Sequence, residues 1–141
     1  AKLQERYNTL KTQYGDEVSE NATLRREMAR LPKDVNSMAR EHQRLIKDLA
    51  DTHYNMGVMF SQKRDFIRAS KEFEKVIELR PDDAEAHYNL GVLYAEHLQD
   101  TERAIRLFRH YLVLRPKGQE ASYAKQYIAT WRAWEAEERL E

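Results

Sequence analysis

One stretch of eight residues occurs twice in this chain with few changes, and it restricts the possible folds more than any other feature. The two copies are HYNMGVMF, which starts at His53, and HYNLGVLY, which starts at His87; their glycines, Gly57 and Gly91, are 34 residues apart. The match continues in the same order through Ala69 and Ala104, Phe73 and Phe108, and the Arg-Pro pairs at Arg80 and Arg115. A period of this length predicts two helices per repeat that stack on the next repeat.

Small residues at fixed positions explain how two such helices can pack closely. Each repeat has a glycine on its first helix (helix A) and an alanine on its second (helix B), and Phe73 and Phe108 are large enough to fill the remaining space. The pattern resembles the tetratricopeptide repeat (TPR) family over about residues 50–134, although His53 and His87 stand where that family usually has tryptophan. The resemblance implies an α-solenoid of two helix–turn–helix units.

Turn residues and helix caps predict where the helices lie within an all-α fold. Helix A of repeat 1 should end near residue 61, later helices should cover about 65–79, 83–97 and 101–114, and a last helix should begin near Gln119. Repeat 2 is one residue longer than repeat 1, and we expect its A–B turn to absorb the extra residue. The expected segments are a coiled coil over 1–31, a connecting helix over 32–49 continuous with the first repeat helix, TPR units over 50–83 and 84–118, and a capping helix over 119–141.

Large side chains alternate at spacings of four and three through the first 31 residues and predict a coiled-coil helix. Glu17 and Asn21 are polar residues at core positions, so the coil should have low stability on its own. Leucine at d positions with asparagine at an a position favours a parallel dimer, and the tyrosines at a leave a trimer open. Pro32 should end or kink the helix, and the same register resumes from Val35 to Leu49. The predicted oligomerisation residues are Leu3, Tyr7, Leu10, Tyr14, Asn21, Leu24, Met28 and Leu31.

The TPR resemblance implies a concave groove lined by the A helices, in which a partner binds. The implied groove is aromatic and largely apolar, and it suits an amphipathic helix or an extended apolar peptide. Alternatively, Tyr54 and Tyr88 only complete the packing between repeats. The residues implied for the partner groove are Tyr54, Asn55, Val58, Gln62, Tyr88, Asn89, Val92, Glu96, Tyr123, Tyr127 and Trp131.

A second binding mode of TPR domains holds the C-terminal carboxylate of a peptide with asparagine and basic residues on successive A helices. Asn55 and Asn89 match the asparagine position. Glu120 and Ala124 stand where that mode requires basic residues, so an acidic peptide tail fits this groove poorly.

Composition and motifs argue against other functions. Lys+Arg and Asp+Glu balance at 24 each, so we expect no nucleic-acid partner. The chain has no cysteine, phosphate-binding glycine loop or nucleophile elbow, and we expect no catalytic residue, cofactor or enzyme activity. No two histidines have the spacing of a helical zinc site; His97 and His110 could face each other, but a chance pair is the simpler explanation.

No apolar run is long enough to insert into a membrane. Trp131 and Trp134 could lie on a membrane surface, but packing against helix B of repeat 2 is the simpler explanation.

Two functional hypotheses follow. The first is a non-enzymatic adaptor that the coil assembles into a dimer or trimer and that presents several grooves to a protein partner. The second is a structural subunit of a larger envelope, secretion or motility assembly, whose heptad helix docks on another protein. The order of coil and TPR units is similar, in arrangement alone, to the periplasmic Tol–Pal-associated cell-division coordinators of Gram-negative bacteria, which implies an envelope location. Because the sequence begins with Ala1 and not Met, a removed leader or anchor is left open.

Overall fold

The computed structural model describes residues 2–138, with all side chains in that range except those at positions 32 and 138. These residues form helices and turns and contain no strand, which confirms the all-α fold class. The chain divides into two compact units, the first ending at Arg44 and the second beginning at Leu45. The elements are α1 (Lys2–Gln62), α2 (Phe66–Leu79), α3 (Ala84–Val92), a π-helical turn (Leu93–His97), α4 (Thr101–Leu114) and α5 (Ala121–Glu138).

The described part of the first unit lies entirely within α1, and its heptad side chains are exposed to solvent. The exposed fraction reaches 83% at Leu3 and is still 50% at Leu24. An apolar stripe of this kind has no partner within the described residues of this unit. The predicted oligomerisation residues therefore lie on a surface that a single copy of the unit leaves open.

The sequence predicted that the helix would end or kink at Pro32. The helix does not end there, so that part of the prediction was wrong. Proline removes one backbone donor and crowds the preceding turn, which costs about 3 kcal/mol in a helix interior. The turns on both sides are exposed here, so water can hydrate the carbonyl of Met28, which loses its partner. The many flanking residues that favour helix outweigh this single unfavourable residue, and α1 continues.

Two glycines allow helices A and B to approach closely in the second unit. A Cβ atom added at Gly91 would lie 2.7 Å from Cε1 of Phe108, and one added at Gly57 would lie 2.9 Å from Cζ of Phe73. Phe108 is fully buried and Phe73 nearly so. The repeated glycine is thus explained by the aromatic ring that fills the space above it.

Aspartates begin three of the helices in the second unit. The carboxylates of Asp65, Asp83 and Asp100 each accept a hydrogen bond from the backbone N–H three residues later, at 3.2, 3.0 and 3.0 Å. Each bond satisfies one of the N–H groups that a helix N-terminus leaves unpaired. At the other end, the backbone of Arg80 and that of Arg115 each close a B helix through a 2.7 Å bond to a carbonyl four residues earlier.

The extra residue of repeat 2 lies within helix A, so the expectation that the turn absorbs it was wrong. The helix widens into a π turn over Leu93–His97, with a 2.9 Å bond from the N–H of Leu98 to the carbonyl of Leu93. Both repeats then pass through one residue of positive φ, Arg64 at 61° and Gln99 at 53°, before the aspartate that begins helix B. The turn itself is the same in both repeats, so the helix before it takes up the added length.

Candidate functional site

The A helices of repeats 1 and 2 are joined by polar side chains near Tyr54. The side-chain N–H of Asn89, on α3, donates a hydrogen bond of 3.0 Å to the hydroxyl of Tyr54, on α1. That hydroxyl in turn points to a carboxylate oxygen of Glu85 at 3.5 Å. Burial raises the pKa of Tyr54, so its hydroxyl stays protonated at neutral pH. Two of the predicted groove residues, Tyr54 and Asn89, are therefore in direct contact.

A second contact joins α3 to α5. The hydroxyl of Tyr123 donates a 2.8 Å hydrogen bond to Glu96, and its ring lies edge-on to Tyr88 with centroids 6.2 Å apart. Burial and the bond to Glu96 raise the pKa of Tyr123 to about 12. Tyr54, Tyr88 and Tyr123 thus form a half-buried surface across three helices, which we call the tyrosine face.

The tyrosine face also belongs to the core of the repeats. Tyr54 packs edge-on against Phe73 at 5.5 Å, and Tyr88 lies 5.8 Å from Phe108. Packing and partner binding are therefore not exclusive explanations, because each ring is buried on one side and exposed on the other. Removing Tyr88 would damage the fold together with the surface.

The remaining predicted groove residues differ in how far their side chains are exposed to solvent. Val58, Val92 and Tyr127 are half-buried and pack against the core, and Tyr127 lies 5.2 Å from Phe108. Trp131 also packs partly on the core and stacks on Trp134 at 4.7 Å. The exposed members of the set are Asn55, Gln62 and Glu96. These three offer positions where the surface can be changed without opening the core.

An ion-pair network beside Tyr54 was not predicted from the sequence. Arg80, at the end of α2, binds Asp51 at 2.7 Å and Asp83 at 2.8 Å, and together they line a recess of about 400 Å³ with Tyr54 and Asn55. The repeated Arg-Pro pair was a signal for it, because Arg115 contacts Glu85 at 3.4 Å in the corresponding place. The end of the tyrosine face near Tyr54 is therefore polar and not apolar.

The positions that would hold a peptide carboxylate carry no cation. Glu120 accepts a 2.8 Å hydrogen bond from the hydroxyl of Tyr111, and Ala124 is fully buried. His97 and His110 do not face each other, since His97 stacks on Phe66 at 3.8 Å and His110 lies against another histidine. No group of three or more metal-binding side chains occurs among the residues that the structure describes.

Comparisons with known proteins agree with the repeat pattern. A family model described as TPR repeat matches residues 65–97, and one described as tetratricopeptide repeat matches residues 84–117. No curated protein matches the chain. Within residues 2–138, no helix combines the length and hydropathy needed to cross a membrane.

Proposed function

We propose, since this chain belongs to the tetratricopeptide repeat family, that it is a non-enzymatic adaptor that binds a partner peptide or amphipathic helix on its tyrosine face. TPR repeats generally mediate protein–protein interaction, and the repeat is a non-catalytic fold. The observation that supports this site is the chain of contacts from Tyr54 to Asn89 and from Tyr88 to Tyr123, which joins three helices. Tyrosines that are half-buried offer rigid contact area and a hydrogen-bonding group at little entropic cost.

The chemistry of the face favours a partner with apolar side chains and a hydrogen-bond donor or cation. Val58 and Val92 lie partly open beside the tyrosines, and Glu96 is an exposed acceptor held in place by Tyr123. Glu85 adds a second carboxylate at the Tyr54 end. A basic amphipathic helix would match this combination better than an acidic one.

We propose that the exposed stripe of α1 brings copies of the chain together. Within the first unit, the large apolar side chains at its a and d positions are at least half exposed. Pairing would remove that surface from water, and two or more tyrosine faces in one assembly would raise a weak affinity through avidity. The alternative, a subunit of a larger envelope, secretion or motility assembly, rests on the same stripe covered by a foreign helix.

The molar mass of the whole chain in solution distinguishes these two functions. For the adaptor, light scattering gives a dimer or trimer, and Leu10→Glu with Leu24→Glu gives a monomer. Thr12→Glu with Ser19→Glu adds the same charge outside the stripe and leaves the oligomer intact. A wild-type chain that is monomeric at every concentration refutes self-association and favours the subunit.

Peptides selected from a display library on the wild-type chain test the tyrosine face. Gln62→Arg with Glu96→Arg changes two exposed groove positions and should weaken the selected peptides by about tenfold or more. Glu78→Arg, on the exposed side of α2, is the control for the charge reversal at Glu96 and should leave binding unchanged. Selected peptides that bind both variants as well as the wild type would refute the proposed site.

A further inference from the structure

Helix A of repeat 2 is buried on the side that faces repeat 1. Leu90 lies on that side, and it lines a recess together with Ile77 of α2, which packs against α3 and the π turn. Ala86 and Leu93 lie one turn away from Leu90 along the same side of the helix. The exposed fractions of Ala86, Leu90 and Leu93 are 0, 3 and 4%. Each repeat of such a stack therefore covers an apolar side of the next A helix.

The same side of helix A in repeat 1 is largely open to solvent. The corresponding residues, 34 positions earlier, are Thr52, Met56 and Met59. Thr52 is exposed, Met56 is half-buried and Met59 is 38% exposed. Leu45 and Leu49 extend this side toward the start of the second unit, with 58% and 48% exposed. We call these five residues the stacking edge. The outer face of a terminal repeat is usually polar, so an apolar edge indicates a surface that another helix covers.

The stacking edge continues the heptad pattern of the coil in the same register. From Leu3 to Met59, the core positions alternate at spacings of four and three without an added or skipped residue. The core positions that are polar are Glu17, Asn21, His42 and Thr52. The hydroxyl of Thr52 donates a 2.8 Å hydrogen bond to the carbonyl of Asp48, which satisfies this polar group within its own helix. An unbroken seven-residue repeat favours one partner helix that follows the same register throughout.

The charges beside the core positions favour a parallel copy of the same helix. Position g is acidic in five consecutive heptads, at Glu20, Glu27, Asp34, Glu41 and Asp48. Two antiparallel copies would place these acidic rows against each other. Two parallel copies in register place each g residue beside the e residue that lies five positions later in the other copy. Those e residues are Arg25, Pro32, Ala39, Ile46 and His53, and none of them is acidic. Arg6 and Lys11 form the one pair of like charge in this arrangement.

We propose that the stacking edge pairs, in parallel and in register, with the stacking edge of a second copy of this chain. Helix A of repeat 1 in each copy then covers the other copy's edge, as α2 covers α3 within one chain. Ala50 and Gly57 are buried on the side of the helix away from the edge, so pairing leaves the packing of each repeat unchanged. This pairing extends the self-association proposed above and rests on it. The repeats thus take part in assembly directly, together with the coil.

Light scattering of the whole chain over a concentration series tests the stacking edge. Leu49→Glu with Met59→Glu places charges at two exposed edge positions and should raise the dissociation constant of the oligomer by about tenfold or more. Val113→Glu with Leu114→Glu is the matched control, because it places the same charges at apolar positions of α4 that are 81% and 38% exposed. The control should leave the dissociation constant unchanged, and both variants should keep the helical spectrum of the wild type.

The failure of this pairing can be distinguished from the failure of self-association itself. An oligomeric wild type whose dissociation constant the edge variant does not change would overturn the pairing and leave association through the coil intact. Equal weakening by the edge variant and the control would also overturn it, because net charge would then be the cause. A wild-type chain that is monomeric at every concentration would refute both proposals.

A single introduced thiol tests the direction and register of the pair, because the chain has no cysteine. Thr52→Cys lies within the stacking edge, and Lys47→Cys lies at an exposed position outside it. Under mild oxidation, Thr52→Cys chains should form a disulfide-linked dimer about tenfold faster than Lys47→Cys chains. An antiparallel pair that overlaps along the length of α1 would hold the two Thr52→Cys thiols far apart. Equal rates for the two variants would therefore overturn the proposed pairing, and neither substitution alters a buried position.

Discussion

Replacing Gly91 by alanine is expected to destabilise the second unit although alanine is the better helix former. The added Cβ would lie 2.7 Å from Cε1 and 3.0 Å from Cδ1 of Phe108, whereas ordinary contacts begin at 3.4 Å. The ring cannot simply move aside, because Phe108 is fully buried and packs against Tyr88, Tyr123 and Tyr127. The substitution therefore displaces an aromatic cluster by several tenths of an ångström.

Two opposing terms set the magnitude. Overpacking of a well-packed core costs about 1–3 kcal/mol. Alanine in place of glycine inside a helix stabilises by about 1 kcal/mol. The net expected loss is about 1 kcal/mol, which for a unit of this size lowers Tm by about 4–8 °C.

Urea unfolding of the whole chain, followed by tyrosine and tryptophan fluorescence, measures this loss in the second unit. The same substitution at Gly15, where nothing lies within 4 Å of the added Cβ, is the matched control and should cause no loss. In a Phe108→Leu background the ring atoms are gone, so Gly91→Ala should become neutral or stabilising. An equal cost in both backgrounds, or a stabilised Gly91→Ala single variant, would refute the clash.

The remaining predictions concern charges and caps. Arg80→Ala should cost about 1–3 kcal/mol in urea unfolding because it strips two aspartates of their cation, while Arg115→Ala, whose ion pair is over half exposed, should cost less than about 1 kcal/mol. Asp100→Ala removes the cap of α4 and should lower the unfolding free energy by about 1 kcal/mol, with little change in the m-value. Burial alone would raise the pKa of Glu72, but its hydrogen bonds with His53 and Lys75 hold that pKa below 4.5. The stabilisation that the Glu72 carboxylate provides is therefore present above about pH 4.5 and is lost as the pH falls through its folded-state pKa. Glu72→Gln should therefore reduce the loss of unfolding free energy on the acid side of a pH titration.

The helices of the second unit could be predicted because their signals are local. Small residues opposite Phe73 and Phe108 fixed which faces meet, and aspartate and Arg-Pro signals placed the helix ends within a few residues of those observed. The continuation of α1 through Pro32 could not be predicted, because it depends on a balance between one proline and many flanking residues that favour helix. Pattern reading detects the breaker but does not sum the opposing propensities.

The contacts of the candidate site could be predicted from the sequence only in part. Which tyrosines lie half-buried follows from the repeat pattern, but the bond between Tyr54 and Asn89 joins residues 35 positions apart and depends on how the helices pack. The burial of Nδ1 of His87, which has no hydrogen-bond partner among the described residues, likewise depends on packing and could not be predicted.

The π turn at Leu93–His97 also bears on how such chains can change in length. One residue inserted into a regular α-helix rotates every later side chain by about 100° around the axis, which would turn packed faces outward. Here the insertion is confined to a single widened turn, and Asp100 begins α4 just as Asp65 begins α2. Repeats of this kind can therefore gain a residue while the interfaces on either side stay the same. The number of residues per repeat can vary although the packing of the repeats does not.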